Sequence, residues 1–541
     1  MRAWPIDRAW PWIAIAIAAG LVLLIHDDFG PTWDEGIQDR YGRLCLRYFA
    51  SGGADGGHAE LEDLRIYGPL VEMMLVGMRG GGEADFTLRH LGLGLIAVLT
   101  IPALARFCRP WGAAVGACAV LILWSMPRFL GHAFNNSKDL PFLVGVCFTM
   151  AALVQLLLDA RLGRARVLAF GLALGLTLSV RPGGAPLLAL LCGCGLLLAR
   201  ALRVGSLASG LGSLRRAWLR LTGAAALAWM VMVLPWPWAH ASPLLHPIEA
   251  MTQAMRFQRS YEVLFEGQTL ESHLLPWYYL PKYLLLVTPP AYLLLALLAL
   301  RPIALAWRGR SQPERALLSA LALCWLLAPI ALFTLVRPNV YDGIRHFLFL
   351  LPALSVLAAV GLIELVELVR ARVPAPGSAA AATLLVLLAA LPAALHSAHL
   401  HPYQGSAFNR FAGGVSGAAD RYELDYWATG LKGALEWIDG QGARAGDARL
   451  RVLLGVPNPY PLDGARFHAS DRLELVPITE LPRLAEARAG VDYYVGPRRY
   501  GMHRMFERAP LAHAEARDGV ALVVVRDLGG AVLGKRPGSA P

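Results

Sequence analysis

The chain has 541 residues, 56% of them hydrophobic and 16% charged, with a formal net charge of +11 and a mean hydropathy of +0.47. Soluble domains carry roughly 25% charged residues, so this composition excludes an ordinary soluble protein and indicates a polytopic membrane protein. The positive excess sits in short Arg-rich loops between apolar stretches, where it reads as topology rather than as a nucleic-acid footprint.

Arg2 and Arg8 precede the first apolar segment and no small-residue cleavage site follows it, the pattern of an uncleaved signal anchor. A span needs about 20 apolar residues. Spans are predicted near 11–26, 86–105, 112–128, 140–158, 166–180, 183–199, 221–239, 281–300, 316–336, 346–369 and 379–397, eleven in all. One alternate set of loops holds Arg106 and Arg109; Arg161, Arg164 and Arg166; Arg200, Arg203, Arg215, Arg216 and Arg220; Arg301, Arg308, Arg310 and Arg315; and Arg370 and Arg372. The positive-inside rule places these loops and the N-terminus in the cytoplasm. Loops 27–85, 129–139, 181–184, 240–280 and 337–345 then face outward, as does the tail. Arg181-Pro182-Gly183-Gly184 alone joins the fifth and sixth spans.

Beyond His399 the hydrophobic saturation ends. Short β-branched runs at 450–456, 491–495 and 520–525 read as strands, with helices expected at about 428–440 and 478–489. The expected organisation is a membrane domain over 1–398 and an extracytoplasmic α/β domain over 399–541. Six of the seven cysteines lie in or beside apolar segments, so no disulfide framework can be drawn. Cys192 and Cys194, inside a Leu-rich span, read as small packing residues.

The polar residues that could carry chemistry fall in the outward loops. Trp33-Asp34-Glu35 lies just past the first span, and two adjacent carboxylates are costly to hold near a bilayer. They suit a general base, a metal ligand or an ion-coupling site. Tyr67-Gly68-Pro69 follows, then His132, Asn135, Asn136, Ser137, Lys138 and Asp139 in the second outer loop, with Arg181 in the hairpin. The fourth loop has Arg256, Arg259, Tyr261 and Glu262, then Lys282; the fifth has Tyr341, Asp342, Arg345 and His346.

Group transfer from a phosphorylated lipid suits this set. A carboxylate can deprotonate an acceptor. Arg181, Arg345, Lys138 or Lys282 could neutralise a departing phosphate. Asp34 and Asp139 could share Mg²⁺ or Mn²⁺, since oxygen ligands suit both. Plainer readings stand beside these: Asp34-Glu35 and Asp139 as helix caps, Arg345-His346 as a headgroup anchor, His132 as a structural residue and the tyrosines as an aromatic belt.

With these residues in order, the chain resembles the GT-C superfamily of membrane glycosyltransferases, in the branch of protein O-mannosyltransferases and bacterial aminoarabinose transferases. The resemblance rests on Asp34-Glu35, the Asn-Asn-Ser-Lys-Asp-Leu-Pro run at 135–141, Arg181-Pro182 and Arg345-His346-Phe347. It spans about residues 1–400 in layout and only these motifs in detail. It implies an α-helical GT-C fold in a bacterial inner membrane and an inverting transfer from a polyprenyl-phosphate sugar. Asp34 would then be the base, Glu35 its neighbour in positioning or acceptor binding, and Asp139 the second-loop acid. Arg345 would hold the lipid phosphate. From the residues alone, Arg181, Lys138 and Lys282 are further candidates for that phosphate, and His346, Tyr67, Asn136 and Tyr341 for substrate contact. The tail shows no match to the β-trefoil insert of eukaryotic mannosyltransferases, so the acceptor stays open among periplasmic lipid, glycan and protein. The rival readings are a lipid-linked-sugar transporter or flippase, which predicts midplane charges and broken helices, and an oligosaccharide ligase or phosphoglycosyl transferase.

Overall fold

The computed structural model describes residues 5–529 except 82–84, 160, 203, 205–210, 256–259, 310–311, 374–376, 445–448, 457–460 and 481–489. Arg2, Arg203, Arg256, Arg259 and Arg310 from the sequence reading, and most of the expected 478–489 helix, lie outside the described residues. Seven described helices are long and apolar enough to cross a membrane: Phe86–Phe107, Asp139–Leu157, Pro182–Ala201, Pro290–Arg308, Pro313–Val336, Leu350–Arg370 and Gly377–Leu400. Lipid offers the backbone no hydrogen-bond partners, so apolar runs of this length satisfy their amides internally as helices. Ala113–Ser125 and Pro127–Ala133 form an eighth candidate bent by 72°, and Ala9–Ile25 and Trp218–Val233 are shorter apolar helices. The bend falls at Met126-Pro127, where a proline opens the second piece.

One expected span is displaced. Residues 281–300 are divided between Tyr279–Val287 and a helix opening at Pro290. Pro289-Pro290 supplies no N–H to continue the first helix, and proline pushes the preceding residue out of helical geometry. Thr288 accordingly has ψ 133°.

Helices Asp139–Leu157 and Leu350–Arg370 are the most enclosed of the spans, 78% and 67% buried against 17% for Gly377–Leu400, so they form the inner post of the bundle. Close approach there depends on Gly361: a Cβ at this position would collide with the Leu295 carbonyl of the neighbouring helix. Each long helix also has two chemically distinct ends. The helix that begins at Asp139 runs toward Asp159, which pairs with Arg166 at 3.5 Å.

The Asp34 end of the bundle carries helix Glu35–Ala50 and a hairpin of strands β1 (Glu262–Phe265) and β2 (Gln268–Glu271). It is capped by a mixed sheet of β3 (Leu450–Leu454), β4 (Leu473–Pro477), β5 (Tyr493–Pro497), β6 (Leu511–Arg517) and β7 (Val520–Asp527), ordered β4-β3-β5-β7-β6. β3 runs parallel to β4 and β5, while β7 is antiparallel to β5 and β6. Helix Leu431–Arg444 covers one face, burying Ala434, Leu435 and Ile438 against Val452, Leu454, Val523 and Val525. Strands β4 and β6 and the β1–β2 hairpin are additional to those read from the sequence. β6, Leu-Ala-His-Ala-Glu-Ala-Arg, has no β-branched residue and is held by its pairing with Val-rich β7.

Candidate active site

Asp34 and Glu35 have opposite environments, because successive residues at a helix start point about 100° apart at 3.6 residues per turn. Glu35 turns inward and is fully buried. Its carboxylate accepts the Thr32 N–H at 2.7 Å and lies 3.1 Å from His90 Nε2 and 3.4 Å from Arg89 Nε. Arg89 is the hub of this buried network, donating to Glu72 at 2.5 Å and to Ser137 Oγ at 2.9 Å. Arg79, at 2.6 Å from Asp39, ties the same helix to the next segment. Asp34 occupies the N-cap position but makes no side-chain cap hydrogen bond. Its side chain is 42% exposed and faces Arg345 Nη1 at 3.5 Å.

The second loop folds on Asn136. Its Oδ1 accepts the backbone N–H of Asp139 at 2.8 Å, and its Nδ2 donates to Asp139 Oδ2 at 3.2 Å. Asn136 therefore meets the local helix-start need, and the Asp139 carboxylate is left to ion-pair with Arg181. Tyr67 lies beneath both cations of this group, its ring 4.5 Å from Lys138 Nζ and 5.9 Å from Arg181 Cζ. Gly68 sets that ring's place, since a Cβ there would strike the Ser179 carbonyl at the end of the preceding helix.

Arg345 is buried over the rings of Tyr341 and Trp427, at 4.7 and 5.3 Å, and pairs with Asp342 at 3.1 Å. His346 stands edge-on to Tyr341 at 4.9 Å. Burial pushes the His346 imidazole well below its ordinary range, and nearby Arg345, Arg181 and Lys138 push it further the same way, so it is neutral near pH 7. A cavity of about 210 Å³ opens among Tyr67, Arg181, Tyr341 and His346 and continues between Phe142 and Phe333. Its lining is mostly apolar, with Arg181, Asn339 and His346 as its polar members.

Ten of the eleven residues singled out from the sequence thus lie in this cluster or its support. Lys282 lies apart from it: its ammonium pairs with Glu266 in the hairpin turn and lies near Tyr278 and Phe265. His132 has the structural role expected of it, bridging Asn136 at 3.2 Å and the Tyr426 hydroxyl at 3.0 Å.

Sequence reasoning missed the roof. Arg499, on the loop after β5, ion-pairs with Asp342 and donates to the Tyr426 carbonyl at 3.0 Å. That carbonyl also accepts the Trp33 indole N–H at 2.7 Å. Asp342, with φ +60°, therefore lies between two guanidiniums. Arg499 carries no local motif and is found only through the fold. Arg89 was legible, as a charge inside an apolar span. Arg181 pairs with Asp139, Arg345 faces Asp34 and Asp342, Arg499 pairs with Asp342, and Lys138 lies over the Tyr67 ring. Asp34 and Asp139 each face an arginine, and among the described residues no group of three or more His, Cys, Asp or Glu side chains could hold a metal ion.

No protein-family model and no curated protein matches the chain. Among solved structures, the chain is similar to ArnT from Cupriavidus metallidurans in the apo state, with 17% identity, a TM-score of 0.50, and 98% of this chain and 99% of that one covered. The same protein bound to undecaprenyl phosphate matches at 17% identity over the same shares, with a TM-score of 0.49. An Archaeoglobus fulgidus oligosaccharyltransferase tethered to an acceptor peptide matches at 13% identity and a TM-score of 0.48, over 91% of this chain and 69% of that one. The likeness to ArnT establishes the fold, which is the GT-C fold.

Proposed function

We propose that this GT-C-fold chain is a membrane glycosyltransferase that moves a sugar from a polyprenyl-phosphate donor to an acceptor on the outer face of a bacterial inner membrane. One observation carries the reading: a solvent-accessible carboxylate, Asp34, faces Arg345, and Arg345 lies over the Tyr341 ring, which lines an apolar-walled cavity together with Arg181. The cavity walls suit a prenyl chain, and the mouth suits its phosphate. In the reaction Asp34 accepts the proton of an acceptor hydroxyl or amine as that atom bonds to the anomeric carbon. The bond from that carbon to the phosphate oxygen breaks, and its electron pair leaves with the phosphate. Arg181, Lys138 and Arg345 hold the charge that develops there. Attack from the face opposite the phosphate inverts the anomeric centre.

Glu35, buried on Arg89 and His90, positions the start of the helix that presents Asp34. Asp139 aims Arg181, and His346 and Tyr341 line the mouth. In this reading residues 1–398 form the catalytic membrane body and 399–541 the extracytoplasmic domain.

The test offers purified protein a panel of radiolabelled polyprenyl-phosphate monosaccharides with membrane lipid, glycan and protein fractions. Label should enter one fraction, and Arg181→Ala should raise the donor KM at least tenfold. Donor binding with no transfer, together with translocation of the same lipid in sealed vesicles, would overturn the transferase reading in favour of a flippase.

A further inference from the structure

A second cavity, of about 350 Å³, lies on the other side of Arg499 from the Asp342–Arg345 pair. It is enclosed by the β1–β2 hairpin, residues 420–426 and residues 498–504, and the mechanism above makes no use of it. Its volume is at the lower end of the roughly 300–1,000 Å³ of small-molecule sites.

Three features of the cavity suit it to a ligand. Glu423 lines it and has one carboxylate oxygen, Oε2, enclosed with no hydrogen-bond partner among the described residues. A buried polar atom left unpaired is costly, so a site that retains one favours a ligand able to pair with it. Arg499 places a buried guanidinium in the same wall. Tyr500 is held at φ +55°, a conformation costly for a residue with a side chain, and this leaves its ring 39% exposed, 4.7 Å from Arg499 Cζ and 6.3 Å from the Trp33 ring.

The chemistry of the lining selects the ligand class. Carboxylates of Glu423 and Asp420 and guanidiniums of Arg498, Arg499 and Arg504 line the walls, with the Tyr500 ring among them and the Trp33 ring 6.3 Å beyond it. The rim is open to solvent at Asp420 and Arg504, 57% and 60% exposed, where Arg498 and Arg504 share the single Asp420 carboxylate at 2.6 and 2.9 Å. Closely spaced donors and acceptors with aromatic platforms match a polyhydroxylated ring, not an acyl chain.

The geometry points to this cavity as the subsite that holds the saccharide part of the acceptor, with Glu423 and Arg499 bonding its hydroxyls and Tyr500 stacking on a ring. The acceptor's reacting hydroxyl then comes to Asp34 past Trp33. This inference rests on the transferase reading and makes the acceptor a glycan or a glycan-bearing lipid.

The experiment measures binding of neutral di- to tetrasaccharides and of Ser/Thr-rich peptides to the purified full chain, alongside transfer assays. Wild type, Glu423→Gln and Tyr500→Ala are compared; Tyr500 is partly exposed, so its variant leaves the core intact. Saccharides should bind, both variants should weaken that binding tenfold or more, and acceptor KM should rise in step while donor KM moves less than twofold. Saccharide binding indifferent to both variants, or peptides binding in preference, would overturn the subsite even with transfer intact. Saccharide binding lost in the variants, with no transfer by wild type from any donor, would instead sink the transferase reading and leave a saccharide-binding cavity.

Discussion

Asp34 and Glu35 are adjacent in sequence but differ in what they touch, and substitution should separate them. Glu35→Gln removes one partner of a buried ion network, a change that costs about 3–5 kcal/mol. The expected outcome is a large fall in thermal stability in detergent, with the protein that stays folded still active. An active-site loss with unchanged stability would show that Glu35 acts on substrate. The carboxylate pair itself was legible in the sequence because charges beside a span are rare. Their division of labour was not, since it depends on Arg89 and His90 approaching from another helix.

Glu423 gives a second prediction at this scale. Burial pushes its carboxyl up to about 8, above the usual 4.5, against the opposing pull of Arg499. Between those two values the unfolded chain releases a proton that the folded chain keeps, so folding weakens as pH rises from about 4.5 to 8 and levels off above. Melting temperature should fall over that window in wild type and fall less in Glu423→Gln. Identical slopes in the two proteins would contradict the assignment. The groups facing this carboxyl are Arg499, Arg345, Asp342 and the Leu264 backbone.

Among the elements, helices were read most faithfully, because an apolar run of twenty residues has few alternatives in lipid. One departure is instructive. Leu284 to Leu298 reads as continuous apolar sequence, and Pro289-Pro290 divides it, so hydropathy alone placed the span several residues early. Strand β6 was invisible for the opposite reason: its residues have weak strand preference and its pairing with β7 is tertiary. Helix contact has its own test. Gly361→Ala forces a methyl into the Leu295 carbonyl and should destabilise the bundle by about 1–3 kcal/mol. Gly193→Ala, where a Cβ meets nothing within 4 Å, should not. Equal melting temperatures for the two variants would contradict the close packing of these helices.

For the molecule as a whole, the candidate site is assembled from five stretches of chain. The first loop brings Asp34, the second Lys138 and Asp139, the hairpin Arg181, the late loop Asp342 and Arg345, and the tail Arg499. Four of these stretches were visible as polar residues gathered between spans. The fifth was not, because the β5 loop resembles any surface loop until the sheet is set over the bundle. The tail is therefore part of the site's wall, through Tyr426 and Arg499, and on the proposed reading it supplies the acceptor's pocket.

On the proposed reading, Asp34 takes a proton from the acceptor during inverting transfer. The most direct measurement compares label transfer by wild type and Asp34→Asn under single-turnover conditions, with the anomeric configuration of the product read by NMR. The expected result is a loss of about 10²–10⁴-fold in the variant, unchanged donor-lipid binding, and a product of inverted configuration. Transfer by Asp34→Asn within a few fold of wild type, or retention at the anomeric centre, would contradict it.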